Sequence, residues 1–151
     1  MRDESFPESH KNPDHDGGIR TAVNAWFEDP AAAKARYGPI ASWDTSRVTI
    51  MSLLFCGRLD FNADISPWCV SNVVNMCSMF AGACSFNRDL SCWDVGKVRL
   101  MMATFANATS FNHQLGGAWA TSKVYKGSMF LNSPGTIVGK TKNIFDGSVT
   151  C

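Results

Sequence analysis

FNADISPWCVSNVVNMCSMFAGACS, residues 61–85, is followed without a gap by FNRDLSCWDVGKVRLMMATFANATS, residues 86–110. Superposed, the two stretches match Phe61 with Phe86, Ile65 with Leu90, Trp68 with Trp93, Val73 with Val98, Met76 with Met101 and Phe80 with Phe105. The same 25-residue spacing extends in both directions, to Ile40, Trp43, Val48, Met51 and Phe55 before it and to Phe111, Leu115 and Phe130 after it. Asn62, Asn87 and Asn112 keep the period as well. Self-similarity at a period of this length is the mark of a stacked-repeat architecture, in which each copy buries its apolar face on its neighbours. In the fourth copy Trp119 and Val124 each fall one residue late, while Phe130 is back in register. One insertion is offset by one deletion, as stacking of copy ends would demand.

Composition sets the outer limits. The chain has 151 residues, of which 45% are hydrophobic and 11% aromatic, enough for one domain with a real core. Fourteen basic against thirteen acidic residues leave a net charge of +1, which is not the footprint of a nucleic-acid binder and makes polyanions poor partner candidates. No apolar run approaches the roughly 20 residues of a membrane span, and residues 1–18 lack the apolar region of a signal peptide. The six cysteines are too few for a disulfide scaffold, and the five within the repeats each replace a different residue type in the other copies, so mostly reduced thiols are expected.

Four regions are expected along the chain. Residues 1–18, with Pro7, Pro13 and a DHDGG run, read as a polar tail. Residues 19–39 read as a helical cap. Ile19, Val23, Trp26 and Phe27 share one helical face, and Asp29 with Pro30 opens a second short helix that Gly38 ends. Residues 40–131 are the repeat region. Within each copy, the spacing of Val73, Met76, Met79 and Phe80 predicts a short helix or 3₁₀ turn, and the FNxDIS and FNxDLS segments predict short parallel strands. Residues 132–151 lose the period and are expected to form a C-terminal cap anchored by Ile137, Val138, Ile144 and Phe145.

The pattern FNxD(I/L)SxWDVSxVxxMxxMFxxAxSFN, spread over residues 40–131, resembles the BspA-like repeat family of leucine-rich-type surface proteins. The preceding AVNAWFEDPAAAKARYGPIASWDTS resembles the N-terminal cap of algal members. The resemblance implies an α/β fold, a short right-handed leucine-rich-repeat-like solenoid of about four 25-residue rungs with a helical N-terminal cap. It also implies adhesion or interaction at a cell surface rather than catalysis. The chain departs from the pattern at Cys69, Gly96 and through the fourth copy.

Candidate chemistry is thin. Trp43, Trp68, Trp93 and Trp119 would make a sugar- or pigment-stacking strip if exposed, but flanking apolar positions favour a buried ladder alongside Phe55, Phe80, Phe105 and Phe130. Asn62, Asn87 and Asn112 read as a polar row that satisfies turn backbone groups. Met51, Met76, Met79, Met101, Met102 and Met129 read as adaptable core filling. His10 and His15 lie in the tail and His113 in a variable position, with no base and orienting group to make a nucleophile of any cysteine. HKNPDHD would hold a metal only adventitiously, and Asn107 opens a formal glycosylation acceptor. No catalytic residue, cofactor or metal site is expected. The expected function is a non-catalytic scaffold for protein–protein interaction, with a protein partner, no nucleic acid and no transmembrane segment. The second reading is an accessory structural subunit of a larger assembly, such as an algal photosynthetic membrane supercomplex, which would dock on a membrane complex. The compartment follows whichever holds, cell surface or organelle.

Overall fold

A computed structural model describes residues 16–150. Helix α1, Asp16–Glu28, and helix α2, Pro30–Tyr37, come first. Asp29 caps α2 by accepting the Ala32 N–H at 3.1 Å, Pro30 takes the first position, and Gly38 at φ +85° ends it. Ile19, Ala22 and Val23 of α1 are buried, and Trp26 and Phe27 pack edge-on against Phe61, at 5.8 and 5.6 Å between ring centroids. The polar tail expected over residues 1–18 lies outside the described residues up to position 15. Positions 16–18 belong to α1.

The remainder corrects the expected architecture. An α/β leucine-rich-type solenoid of four rungs is not what the chain forms. Residues 40–113 are turns and irregular chain with one 3₁₀ turn, Ile40–Ser42. The described strands are two, β1 (Gln114–Leu115) and β2 (Thr136–Ile137), paired in parallel with Gln114 opposite Thr136. The fourth copy adds a one-turn helix, α3, Ala118–Thr121.

The backbone shows why. From Met51 to Arg58 the N–H groups alternate in destination. Those of Met51, Leu53, Phe55 and Gly57 donate to Asn75, Cys77, Met79 and Ala81 of the next copy, at 2.8–3.0 Å. Those of Leu54, Cys56 and Arg58 close local turns onto the residue three before. Met76, Ser78, Phe80 and Gly82 donate in the same way to Leu100, Met102, Thr104 and Ala106. Such consecutive tight turns satisfy these donors without extended strand or helix. They also require left-handed backbone at two positions per copy, Leu53, Ser78, Ala103 and Ser128 at the first and Gly57, Gly82, Asn107 and Asn132 at the second, with φ between +52° and +73°. A left-handed residue every few positions forbids a helix over Val73–Phe80. The strands expected at FNxDIS and FNxDLS are absent because the Asn side chain replaces a backbone carbonyl there. Asn62 Oδ1 accepts the Asn87 N–H, and Asn87 Oδ1 the Asn112 N–H, both at 2.9 Å.

Side chains then fill the interior in columns. Phe55, Phe80, Phe105 and Phe130 stack at 5.3–5.6 Å with their planes within 10°. Phe61, Phe86 and Phe111 form a second column, and facing pairs across the two lie 4.1–4.2 Å apart. The late Trp119 regains its place through α3. Gly117, at φ +57° and too close to the Ser91 carbonyl for an easy Cβ, turns the chain so that the Trp119 indole N–H reaches Leu90 O at 2.8 Å. Lys126 sits in the methionine position, fully buried, its Nζ donating to Ser122 O and Val124 O at 2.8 and 2.9 Å. The C-terminal segment closes the stack with Phe130 N–H donating to Gly147 O at 2.8 Å and Lys142 Nζ 5.6 Å from the centre of the Phe130 ring. Of its four expected anchors only Ile137 is buried. Val138 is half exposed, and Ile144 and Phe145 are 83% and 85% exposed on a turn held by Asn143.

Two substitutions test this arrangement. Trp93 is 2% exposed, so Trp93→Ala should cost about 3–5 kcal/mol in a denaturant melt. A Cβ on Gly57 would meet no atom within 4 Å, so Gly57→Ala isolates the backbone contribution and should cost about 1–2 kcal/mol at φ +73° with no packing loss. A Gly57→Ala protein as stable as the parent would mean that the left-handed turns are not required.

Candidate functional site

The buried columns are spoken for by packing. Trp43, Trp68, Trp93 and Trp119 are each at most 3% exposed, with indole N–H groups on Gly38, Ile40, Ser66 and Leu90 carbonyls, so these four do not form an outward strip. Phe55, Phe80, Phe105 and Phe130 are buried with them, while Asn62, Asn87 and Asn112 lie at the surface and bond copy to copy. Met102 corrects the reading of the methionines, being 47% exposed where the others in the repeats are buried. His113 Nε2 lies 3.2 Å from Asn87 O, a neighbour of the Asn row rather than of any thiol. His10, His15 and the HKNPDHD stretch lie outside the described residues. Cys56, Cys69, Cys77, Cys84 and Cys92 are free thiols, and among the described residues no three His, Cys, Asp or Glu side chains gather for a metal.

Surface chemistry is instead segregated. Residues 46–58, 71–83, 96–108 and 121–133 are the equivalent segments of the four copies, held side by side by the turn hydrogen bonds, and none contains Asp or Glu. They carry Arg47, Arg58, Lys97, Arg99 and Lys123, besides the buried Lys126. Between these cations Ile50, Leu53, Leu100, Met102 and Tyr125 are exposed. Ile50, Asn75 and Leu100 pair in parallel from copy to copy, which lines up that position as an outward column. Where this face meets α1 it deepens into a groove of about 210 Å³ lined by Arg20, Asn24, Leu53, Cys56, Gly57 and Arg58. Arg20 Nη2 donates to Ser52 O at 2.6 Å and to Ser52 Oγ at 3.3 Å. Arg58 Nη2 donates to Asn24 Oδ1 at 3.0 Å, and its guanidinium sits 4.2 Å from the centre of the Phe27 ring.

The acids occupy other positions, for a local reason. Asp44, Asp64, Asp89, Asp94 and Asp146 each accept the backbone N–H two residues on, at 2.9–3.0 Å, making the corner turns of the chain.

With that geometry in place, the kinship of the chain can be stated. The model of the family described as "Mycoplasma protein of unknown function, DUF285" matches residues 21–142, most of the chain. The chain belongs to this family. No curated protein and no solved structure matches it. The matched span runs from α1 into the C-terminal segment and so takes in most of the groove and the acid-free face. Among the described residues no helix is long and apolar enough to cross a membrane.

Sequence reading missed the groove because Arg20 and Arg58 belong to different regions and neither keeps the 25-residue period. The acid-free windows are present in the sequence but show only by position within the repeat, since the charge of the whole chain averages them away.

The corner aspartates yield a pH prediction. The Ser46 and Ser66 hydroxyls hold Asp44 and Asp64 below the usual carboxylate range, and the Ser91 and Ser148 N–H groups do so for Asp89 and Asp146. A folded-state pKa below the unfolded one contributes stability that is fully present above the unfolded value, about 3.9, and is lost as pH falls through the folded one. The melting temperature should therefore hold from about pH 7 to 5 as far as these groups decide it, and fall below about pH 4. Asp64→Asn should shrink that fall in a thermal melt series.

Proposed function

We propose that this chain is a non-catalytic repeat scaffold that binds another protein through the acid-free face. The observation that carries the reading is the exposure of Ile50, Leu53, Leu100, Met102 and Tyr125 on one surface, between 37% and 68%. Large apolar side chains gathered in one surface region, rimmed by charge, mark interaction sites. The interior is filled without these five side chains. A BspA-like kinship, read from the repeat pattern, is in keeping with such a role.

A second reading, an accessory structural subunit of a larger assembly, is favoured by Ile144 and Phe145. Two adjacent large apolar side chains at 83% and 85% exposure sit on a turn anchored by four hydrogen bonds among Asn143, Ser148 and the backbone between them. A subunit held in an assembly would use both surfaces at once.

Position-specific photo-cross-linking tests the first reading. A benzophenone amino acid placed at Leu100 in the full chain should yield discrete protein adducts in its native extract, and the same group at Asn112, on the Asn row, should not. Equal adducts at the two positions, or adducts at neither, would overturn the face as the binding surface. Adducts from position 145 in place of position 100 would favour the assembly reading.

A further inference from the structure

Both guanidiniums at the mouth of the groove have neutral partners. Among the described residues Arg20 meets the Ser52 carbonyl and hydroxyl, and Arg58 meets Asn24 Oδ1 and the Phe27 ring. Each bond uses Nη2, so among the described residues Nε and Nη1 of both arginines have no acceptor, although a guanidinium carries five donors in a fork matched to a carboxylate. The groove's volume of about 210 Å³ is below the roughly 300–1,000 Å³ of small-molecule sites, and suits a single side chain. Leu53 both lines the groove and is 57% exposed on the face, so the groove and the apolar column are one continuous surface.

Spacing along that surface narrows the occupant. Ile50 of the first copy and Leu100 of the third are exposed at equivalent positions, and the second copy places Asn75 between them. Two steps of the Phe column, 5.5 and 5.3 Å, separate the equivalent positions of Ile50 and Leu100. Residues seven apart on an α-helix lie on one face and rise about 10.5 Å, which matches that separation. Residues three apart on an extended strand span about 10 Å but point to opposite faces, which does not. The cations beside the third copy, Lys97 and Arg99, are both exposed.

We infer that the partner contributes an acidic amphipathic helix lying along the acid-free face, with two apolar side chains seven residues apart on the Ile50 and Leu100 sites and one carboxylate seated between Arg20 and Arg58. This rests on the binding role proposed above and adds the chemistry of the partner to it. Attraction comes from the cations and register from the two apolar sites.

The test uses a fluorescein-labelled, alanine-based helical peptide carrying two leucines seven residues apart flanked by glutamates, titrated with the full chain and read by anisotropy. Binding should weaken at least about tenfold when the glutamates become glutamines, and comparably when the leucines are moved to a spacing of five. Arg20→Gln and Arg58→Lys should each weaken it by about tenfold, the lysine keeping charge over Phe27 but losing the fork. Because Arg58 also touches α1, Lys97→Gln with Arg99→Gln serves as a second variant that leaves the melting temperature in place. It should weaken binding and flatten its salt dependence. Equal affinity for the glutamate and glutamine peptides would overturn the proposal, as would equal affinity for the two leucine spacings. Absence of peptide binding in a chain that still forms cross-links from position 100 would overturn the acidic helix and leave the protein-binding role standing. Absence of both would remove both. Sedimentation with phosphatidylserine vesicles, abolished by the same variants while the peptide does not bind, would assign the face to a membrane and overturn the helix as well.

Discussion

Everything in the repeat region depends on where the backbone N–H groups of residues 51–58 point. Alternate donors go to the next copy and to a local turn, so this copy is tied at four points to the one after it. That pattern leaves no freedom to slide. A copy displaced by one residue would bring the N–H groups that close local turns opposite the next copy's carbonyls, and the cross-copy bonds would be lost. Equivalent backbone in each copy then places equivalent side-chain positions one above another, and the planar rings at positions 55, 80, 105 and 130 are the consequence. Buried offset rings contribute packing beyond their area, but they stack because the backbone delivers them, not the reverse.

The same constraint explains the compensated insertion of the fourth copy. Ala103, Phe105 and Asn107 must find Gly127, Met129 and Leu131, so the register has to be restored before residue 127. The extra residue enters between Leu115 and Trp119, and the compensating deletion falls between Val124 and Lys126, just short of that seam. Lys126, standing where the other copies have methionine, is tolerated because its stem fills the methionine space while its ammonium finds Ser122 O and Val124 O. Lys142 does the same at the end of the stack, over Phe130 and onto the Ser133 and Gly135 carbonyls, and burial lowers its pKa.

The interior was legible in the sequence because a period of apolar residues is a direct record of burial. The secondary structure was not. Spacings of three and four at Val73, Met76, Met79 and Phe80, which read as helix, arise equally from successive three-residue turns, and only the left-handed positions separate the two. Half of that signal is in plain sight, since Gly57, Gly82, Asn107 and Asn132 keep the period and are the residue types that adopt positive φ most readily. The other half is hidden by Leu53, Ser78, Ala103 and Ser128, types that carry no such signature. The strands failed for a related reason, because a periodic Asn can join copies through its side chain as well as mark a strand end. Ile144 and Phe145 read as anchors on hydrophobicity alone, with no period to say which way they face.

Charge is where the sequence concealed most, and where the fold leaves the least explained. A net charge of +1 averages over acids and bases that the structure keeps apart. The acids have structural work, since five of them hold corner turns through their own backbone neighbours. Three exposed cations of the face have much less. Lys97 reaches Asn72 Oδ1 at 2.9 Å, an exposed contact, and Arg99 and Lys123 stand at the surface beside apolar side chains. Interspersing acids among them would cost little, because exposed ion pairs contribute about 0–1 kcal/mol and no packing opposes them. Folding therefore does not demand a face without a single carboxylate across four copies. A feature that stability does not require, repeated at equivalent positions and continuous with a groove holding two arginines, is most economically attributed to what the surface meets.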